Sequence, residues 1–224
     1  MAGEKLTYNI SWSNILQAGT SVMEVRDERT ADNRPAYRVI SAARSSQLVS
    51  AFYPVMDTVQ SVMDARELCS LSYSLSESHG GKKRRKEMVF DHENGTVRIV
   101  TNGSAETFSI PDHVQDALSS LYYLRTRDDF VTGKAIIIDV HEGGKNWSVE
   151  VQTLGRERLK TALGEFNTIK VKTYPKYDGV FQHKGEIFIW LTDDARKIPV
   201  LMKSTITIGS IVAALTELRT GEEK

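Results

Sequence analysis

The sequence predicts a mainly β protein: a curved antiparallel sheet, half-barrel or barrel-like, of about 10–12 strands, with one amphipathic helix packed on it. Three observations predict it. Apolar and polar residues alternate with period two along most of the chain, Asn-Gly and Gly-Gly pairs punctuate the runs, and one central stretch switches to helical spacing.

The elements follow in order. Leu6, Tyr8, Ile10 and Trp12 alternate with Thr7, Asn9 and Ser11, so one side of the strand faces an apolar interior and the other faces water. Leu71, Tyr73 and Leu75 alternate with serines. Met88-Val89-Phe90 and Thr96–Val100 flank Asn94-Gly95, a pair suited to both central positions of a type I′ hairpin turn. Asn102-Gly103 follows before Glu106-Thr107-Phe108, and Gly80-Gly81, Gly143-Gly144 and Gly164 mark further turns. Trp147, Val149 and Val151 form another alternating run, and Ile187, Ile189 and Leu191 face away from Phe188 and Trp190. The exception spans about residues 112–125. Asp112 is placed to cap a helix, Gln115 lies at the capping-box spacing, and Val114, Leu118, Leu121 and Arg125 share one stripe beside Ala117 and Tyr122. No linker or repeat separates the two strand-rich halves, so residues 1–224 are read as one domain.

Composition narrows the function. The 224 residues carry 29 Lys+Arg against 29 Asp+Glu, a balance that argues against a nucleic-acid binder. A lone Cys69 leaves no disulfide within the chain, and no run of about 18 apolar residues exists to span a membrane as a helix. Met1-Ala2-Gly3-Glu4-Lys5 leads directly into a strand without the pattern of a signal peptide. Two readings of that start stay open: a cytosolic protein, or an exported one whose signal has been removed.

Chemical motifs are sparse. His79, His92, His113, His141 and His183 have no helical zinc-site spacing, and there is no Cys-x-x-Cys, so no metal or other cofactor is expected. No Gly-x-Ser-x-Gly elbow occurs, and Cys69 beside Leu68 reads as a small apolar residue. Asp128-Asp129 and Asp193-Asp194 are neighbours whose side chains diverge in a strand, which suits turns better than acid–base work. The basic run Lys82-Lys83-Arg84-Arg85-Lys86 reads first as a solvated hairpin arm; its functional alternative is contact with anionic headgroups through Lys82, Arg84 and Lys86.

Several blocks together carry a resemblance: Gly3–Trp12, Gln17–Thr20, Phe52–Asp57, Val114–Arg125, Gly164–Val171, Ile189–Val200 and Ile208–Leu215. The chain resembles the bacterial exported family called "domain of unknown function 3108" over nearly its whole length, from about Gly3 to Leu218. That resemblance implies a signal in the precursor and an envelope, periplasmic location. It transfers no reaction and no catalytic residue. The strand–helix–strand order is also similar, at the level of fold, to the half-barrels of periplasmic lipoprotein and lipid carriers.

The leading expectation is a non-enzymatic periplasmic protein that holds a lipid or other apolar ligand in the sheet's concave face. Tyr8, Trp12, Phe52, Tyr53, Leu118, Leu121, Tyr122, Phe188 and Trp190 are the candidate lining. The second is a protein-interaction module of envelope assembly with a solid core, docking an envelope protein by an edge strand or patch. A glycan hydrolase, needing two carboxylates about 5–10 Å apart, comes last.

Overall fold

The computed structural model describes residues 1–177, 180–181, 186–205 and 209–221, with 176–177 and 180–181 described by backbone alone. His183 and Ile208 lie outside the described residues. In chain order the elements are β1 (Lys5–Trp12), β2 (Leu16–Arg29), β3 (Pro35–Ser45), α1 (Gln47–Ser50), β4 (Val55–Asp64), β5 (Ser70–His79), β6 (Lys82–Asp91), β7 (Thr96–Thr101) and β8 (Ser104–Ser109). After them come α2 (Ser119–Arg125), β9 (Ala135–Glu142), β10 (Lys145–Thr161), β11 (Gly164–Tyr177), β12 (Val180–Phe181), β13 (Ile187–Thr192), β14 (Pro199–Thr205) and β15 (Ser210–Arg219).

All strands belong to one antiparallel sheet, ordered β8-β7-β6-β5-β4-β3-β2-β1-β15-β14-β13-β11-β10-β9, with the short β12 paired to β11. The fifteen strands among the described residues exceed the expected number because long alternating runs are cut by two-residue turns. Asn102-Gly103, Gly80-Gly81 and Gly143-Gly144 have positive φ at both positions, as that hairpin type requires. Asn94-Gly95 does not: only Gly95 is left-handed, and the Asp91 carboxylate accepts from the Asn94 backbone and side-chain amides to close a longer loop. Register shifts in five strand pairings, including Thr7/Tyr8 and Trp190/Leu191, are the kind of irregularity that bends and twists a sheet. The first and last described strands are neighbours, with Lys5 opposite Arg219.

The sheet is not closed by a ladder, since β8 and β9 are its free edges. Side chains span the seam instead. Asn146 donates to the Ser109 carbonyl at 2.8 Å, the Phe108 and His141 rings lie 5.7 Å apart, and Lys86 on β6 reaches Glu142 on β9 at 2.5 Å. The connection after β8 also helps. Gln115 donates to the Asp139 carbonyl and accepts from the His141 amide, forming a parallel bridge on β9.

That bridge explains why the helix is shorter than expected, seven residues rather than about 112–125. Pro111 and a turn at Asp112–His113, with His113 left-handed (φ 55°), keep the chain out of the helix until Gln115 has paired with β9. Asp116, not Asp112, then starts the turn. Its carboxylate accepts from the Leu118 and Ser119 amides at 2.7 and 2.9 Å, while the Ser119 hydroxyl accepts from the Asp116 amide at 3.0 Å, a reciprocal pairing like a capping box.

Residues 110–130 thread the concavity and fill it. Ile110 and Val114 pack with Tyr73, Met88, Phe90, Val97 and Ile99. Leu118 and Tyr122 join Tyr8, Met23, Val39, Met63 and Trp190. Leu124 and Phe130 join Ile138, Val140, Val171 and Leu191. At about 25 cal/mol per Å² of apolar area, burial of this one segment ties all three arcs of the sheet to a common centre.

Candidate functional site

The predicted lining residues divide into two places. Tyr8, Leu118, Tyr122 and Trp190 are buried together in one core cluster, with Leu121 and Phe188 half-buried against it. The Tyr8 hydroxyl donates to the Pro199 carbonyl at 2.8 Å, and burial pushes its pKa well up. Tyr122 carries the Arg125 guanidinium 4.9 Å from its ring centre. Arg125 in turn makes a bidentate pair with Glu4 at 2.7 and 2.6 Å, with both side chains buried. Burial opposes the Arg125 charge, but the Glu4 carboxylate outweighs it and raises the pKa. These side chains belong to the hydrophobic core that α2 makes with the sheet.

Trp12, Phe52 and Tyr53 are elsewhere. They stand at the end of the sheet where β1 turns into β2 and where α1 leads into β4. This end is assembled by short-range chemistry. The Ser46 hydroxyl caps α1 by accepting from the Val49 amide, and it donates to the Gln17 carbonyl of β2 at 3.1 Å. The Gly80 amide donates to the Pro54 carbonyl at 2.9 Å, bringing the β5–β6 turn beneath Tyr53. A side chain at Gly80 would collide with the Tyr53 ring. Phe52 is 86% exposed, Ile15 83%, Met56 66% and Leu48 60%, and an open groove of about 640 Å³ runs between Leu16 and Leu48 past Arg44.

The basic run lies at the same end. Lys82, Lys83, Arg84 and Arg85 are exposed, and Arg84 is 3.4 Å from Glu77. Lys86 is a correction to the expected surface contact: it is 3% exposed, 5.0 Å over the Tyr73 ring and paired with Glu142. Its parity explains this, because Lys86 shares the inward face of β6 with Met88 and Phe90.

Two groupings, one polar and one apolar, escaped sequence reasoning. Asp116 is fully buried and accepts from Ser61 and Ser70 at 2.5 Å each; Ser70 lies 2.7 Å from Ser119. Burial pushes the Asp116 carboxyl up, against these hydrogen bonds. With every partner sequestered, the cluster clamps the start of α2 onto β4 and β5. Its clue in the sequence was an Asp inside an apolar stretch and followed three residues later by Ser. The second grouping is the exposed Ile15, Leu16, Leu48 and Met56, legible as large apolar residues in or beside turns.

The remaining candidates have structural partners. Asp128 meets Lys197, Asp129 meets Arg127, Asp193 meets Arg156, and Asp194 caps the turn before Ile198. His79 pairs with Asp57, and His92 lies 2.7 Å from the Ser70 carbonyl. The Cys69 thiol is buried, and burial pushes it up to about 11. Among the described residues no group of three His, Cys, Asp or Glu is placed to hold a metal, and no helix is long and apolar enough to cross a membrane.

Comparison with known proteins places this geometry in a family. The sequence matches the family described as "Protein of unknown function (DUF3108)" over residues 7–216. The chain belongs to that family. No curated protein matches the DUF3108 chain. Its fold is similar to a β-barrel-like protein of domain of unknown function DUF1849 from Brucella abortus, with TM-score 0.64, 11% identity and 96% of each chain covered. A protein from Bacteroides fragilis described as exported, with a YmcC-like fold, covers 98% of this chain and 97% of its own at 11% identity and TM-score 0.37. A protein from Parabacteroides distasonis described as a lipoprotein covers 98% and 96% at 8% identity and TM-score 0.37.

Proposed function

We propose that this DUF3108 protein is a non-enzymatic docking module of the bacterial envelope, working through the apolar end of its sheet. The single observation that carries this reading is the contrast between the two places just described. The sheet's inner side, where a carried ligand would lie, is packed by Leu118, Leu121 and Tyr122, whereas Ile15, Leu48, Phe52 and Met56 stand in solvent at one end of the sheet. A folded chain gains nothing by exposing several large apolar side chains at one end, and such surfaces mark interaction sites. The periplasmic location is part of the proposal and rests on the likeness to an exported family.

The test compares the wild type with Ile15→Ser/Phe52→Ser. The variant is expected to bind less of an apolar surface dye and to leave an alkyl column earlier, with an unchanged Tm. Native mass spectrometry is expected to show the wild type free of retained lipid. One lipid per chain, retained equally by the variant, would refute the docking reading and restore an interior carrier.

A further inference from the structure

Resting on the docking reading, we propose that the partner of the apolar end is the surface of an anionic phospholipid bilayer. Three features on that end favour a bilayer over a protein. First, the exposed apolar residues sit on separate turns: Ile15 between β1 and β2, then Leu48, Phe52 and Tyr53 around α1, then Met56 at the start of β4. They form points that a fluid interface accommodates without a complementary mould. Aromatic side chains at such points suit the headgroup boundary.

Second, four amides of these turns are satisfied internally. The Ile15 amide donates to Trp12, the Phe52 and Tyr53 amides donate to Val49, and the Gly80 amide donates to Pro54. An unpaired peptide group makes entry into hydrocarbon costly, and these turns keep those amides paired.

Third, the charge is complementary. Lys82, Lys83, Arg84 and Arg85 follow the turn that packs under Tyr53. Four successive strand residues span roughly 10 Å, about one Debye length, so all four feel a charged surface touched by the apolar points. The nearby acids are engaged within the hairpins, Asp57 by His79 at 2.8 Å and Glu77 by Arg84 at 3.4 Å. With 29 positive and 29 negative residues overall, this is a local concentration and not a general excess.

The experiment floats the full chain with vesicles of phosphatidylcholine mixed with phosphatidylglycerol, and with vesicles of phosphatidylcholine alone. The mixed vesicles are expected to bind more protein, and added salt to weaken that binding. Lys82→Ser/Lys83→Ser is expected to lower partitioning by about fivefold for each charge removed. Phe52→Ser is expected to lower it on both vesicle types. Equal or no binding to the two compositions, or indifference to these substitutions, overturns the proposal. If vesicles fail while Ile15→Ser/Phe52→Ser still reduces retention on the alkyl column, the docking reading survives and lipid is excluded in favour of a protein or a second copy. If both fail, both readings fall.

Discussion

Replacing Arg125 with Met removes the cation that pins the end of α2 to the first strand. Met keeps an unbranched stem to lie against Tyr122, so the change isolates the guanidinium. What remains is the Glu4 carboxylate, 5% exposed and stripped of two hydrogen bonds at 2.7 and 2.6 Å. The Arg196 carbonyl loses its donors at 3.1 and 3.3 Å as well. Breaking one partner of a buried pair costs about 3–5 kcal/mol, mainly through the uncompensated charge. For a chain of this size that lowers Tm by roughly 6–20 °C, at about 2–4 °C per kcal/mol. Urea unfolding of the wild type, Arg125→Met, Glu4→Gln and the double variant gives the coupling directly. The double variant should recover most of the loss, because neither buried charge is then left alone. A single variant within about 1 kcal/mol of the wild type, or a double variant no better than Arg125→Met, would refute the idea that the pair is a buried clamp.

Other side chains carry further expected outcomes. Asp116→Ala should destabilise by several kcal/mol, at about 1–3 per buried donor left unpaired, since Ser61, Ser70 and the Leu118 and Ser119 amides all donate to it; Asp116→Asn should cost much less, and equal losses in chemical denaturation would count against the clamp. Gly19→Ala should cost about 1–3 kcal/mol, because a Cβ there would lie 2.2 Å from the Arg44 carbonyl oxygen and β2 and β3 would have to part; an unchanged Tm would contradict that close approach. Burial holds the His141 imidazole below its usual value, aided by Lys86 and opposed by Asn146 and Glu142. The unfolded chain therefore binds the extra proton first, and stability should fall as pH drops below about 6.5, with a shallower fall in His141→Gln followed by urea midpoints.

Much of this architecture was legible in the sequence, for a physical reason. Period-two alternation is a local consequence of the pleat, so Leu6 and Tyr8 point inward as their spacing implies. Trp12 has the same parity and is still 37% exposed, because by that residue the strand has run past the core's edge. Alternation assigns a face and not a depth. Residues 112–118 misled for a related reason: their apolar spacing is helical, but a free edge on β9 offered the Gln115 backbone a partner far away in sequence. For the aromatics, composition could not separate the filled centre around Tyr122 from the exposed end around Phe52. Only the packing of α2 divides them.

The pairing of the first strand with the last has a practical corollary. Lys5 and Arg219 stand together at the pole opposite Phe52, about 25 Å away along β1. A fluorophore or a surface attachment grafted at Arg219 therefore sits far from the greasy, cationic tip.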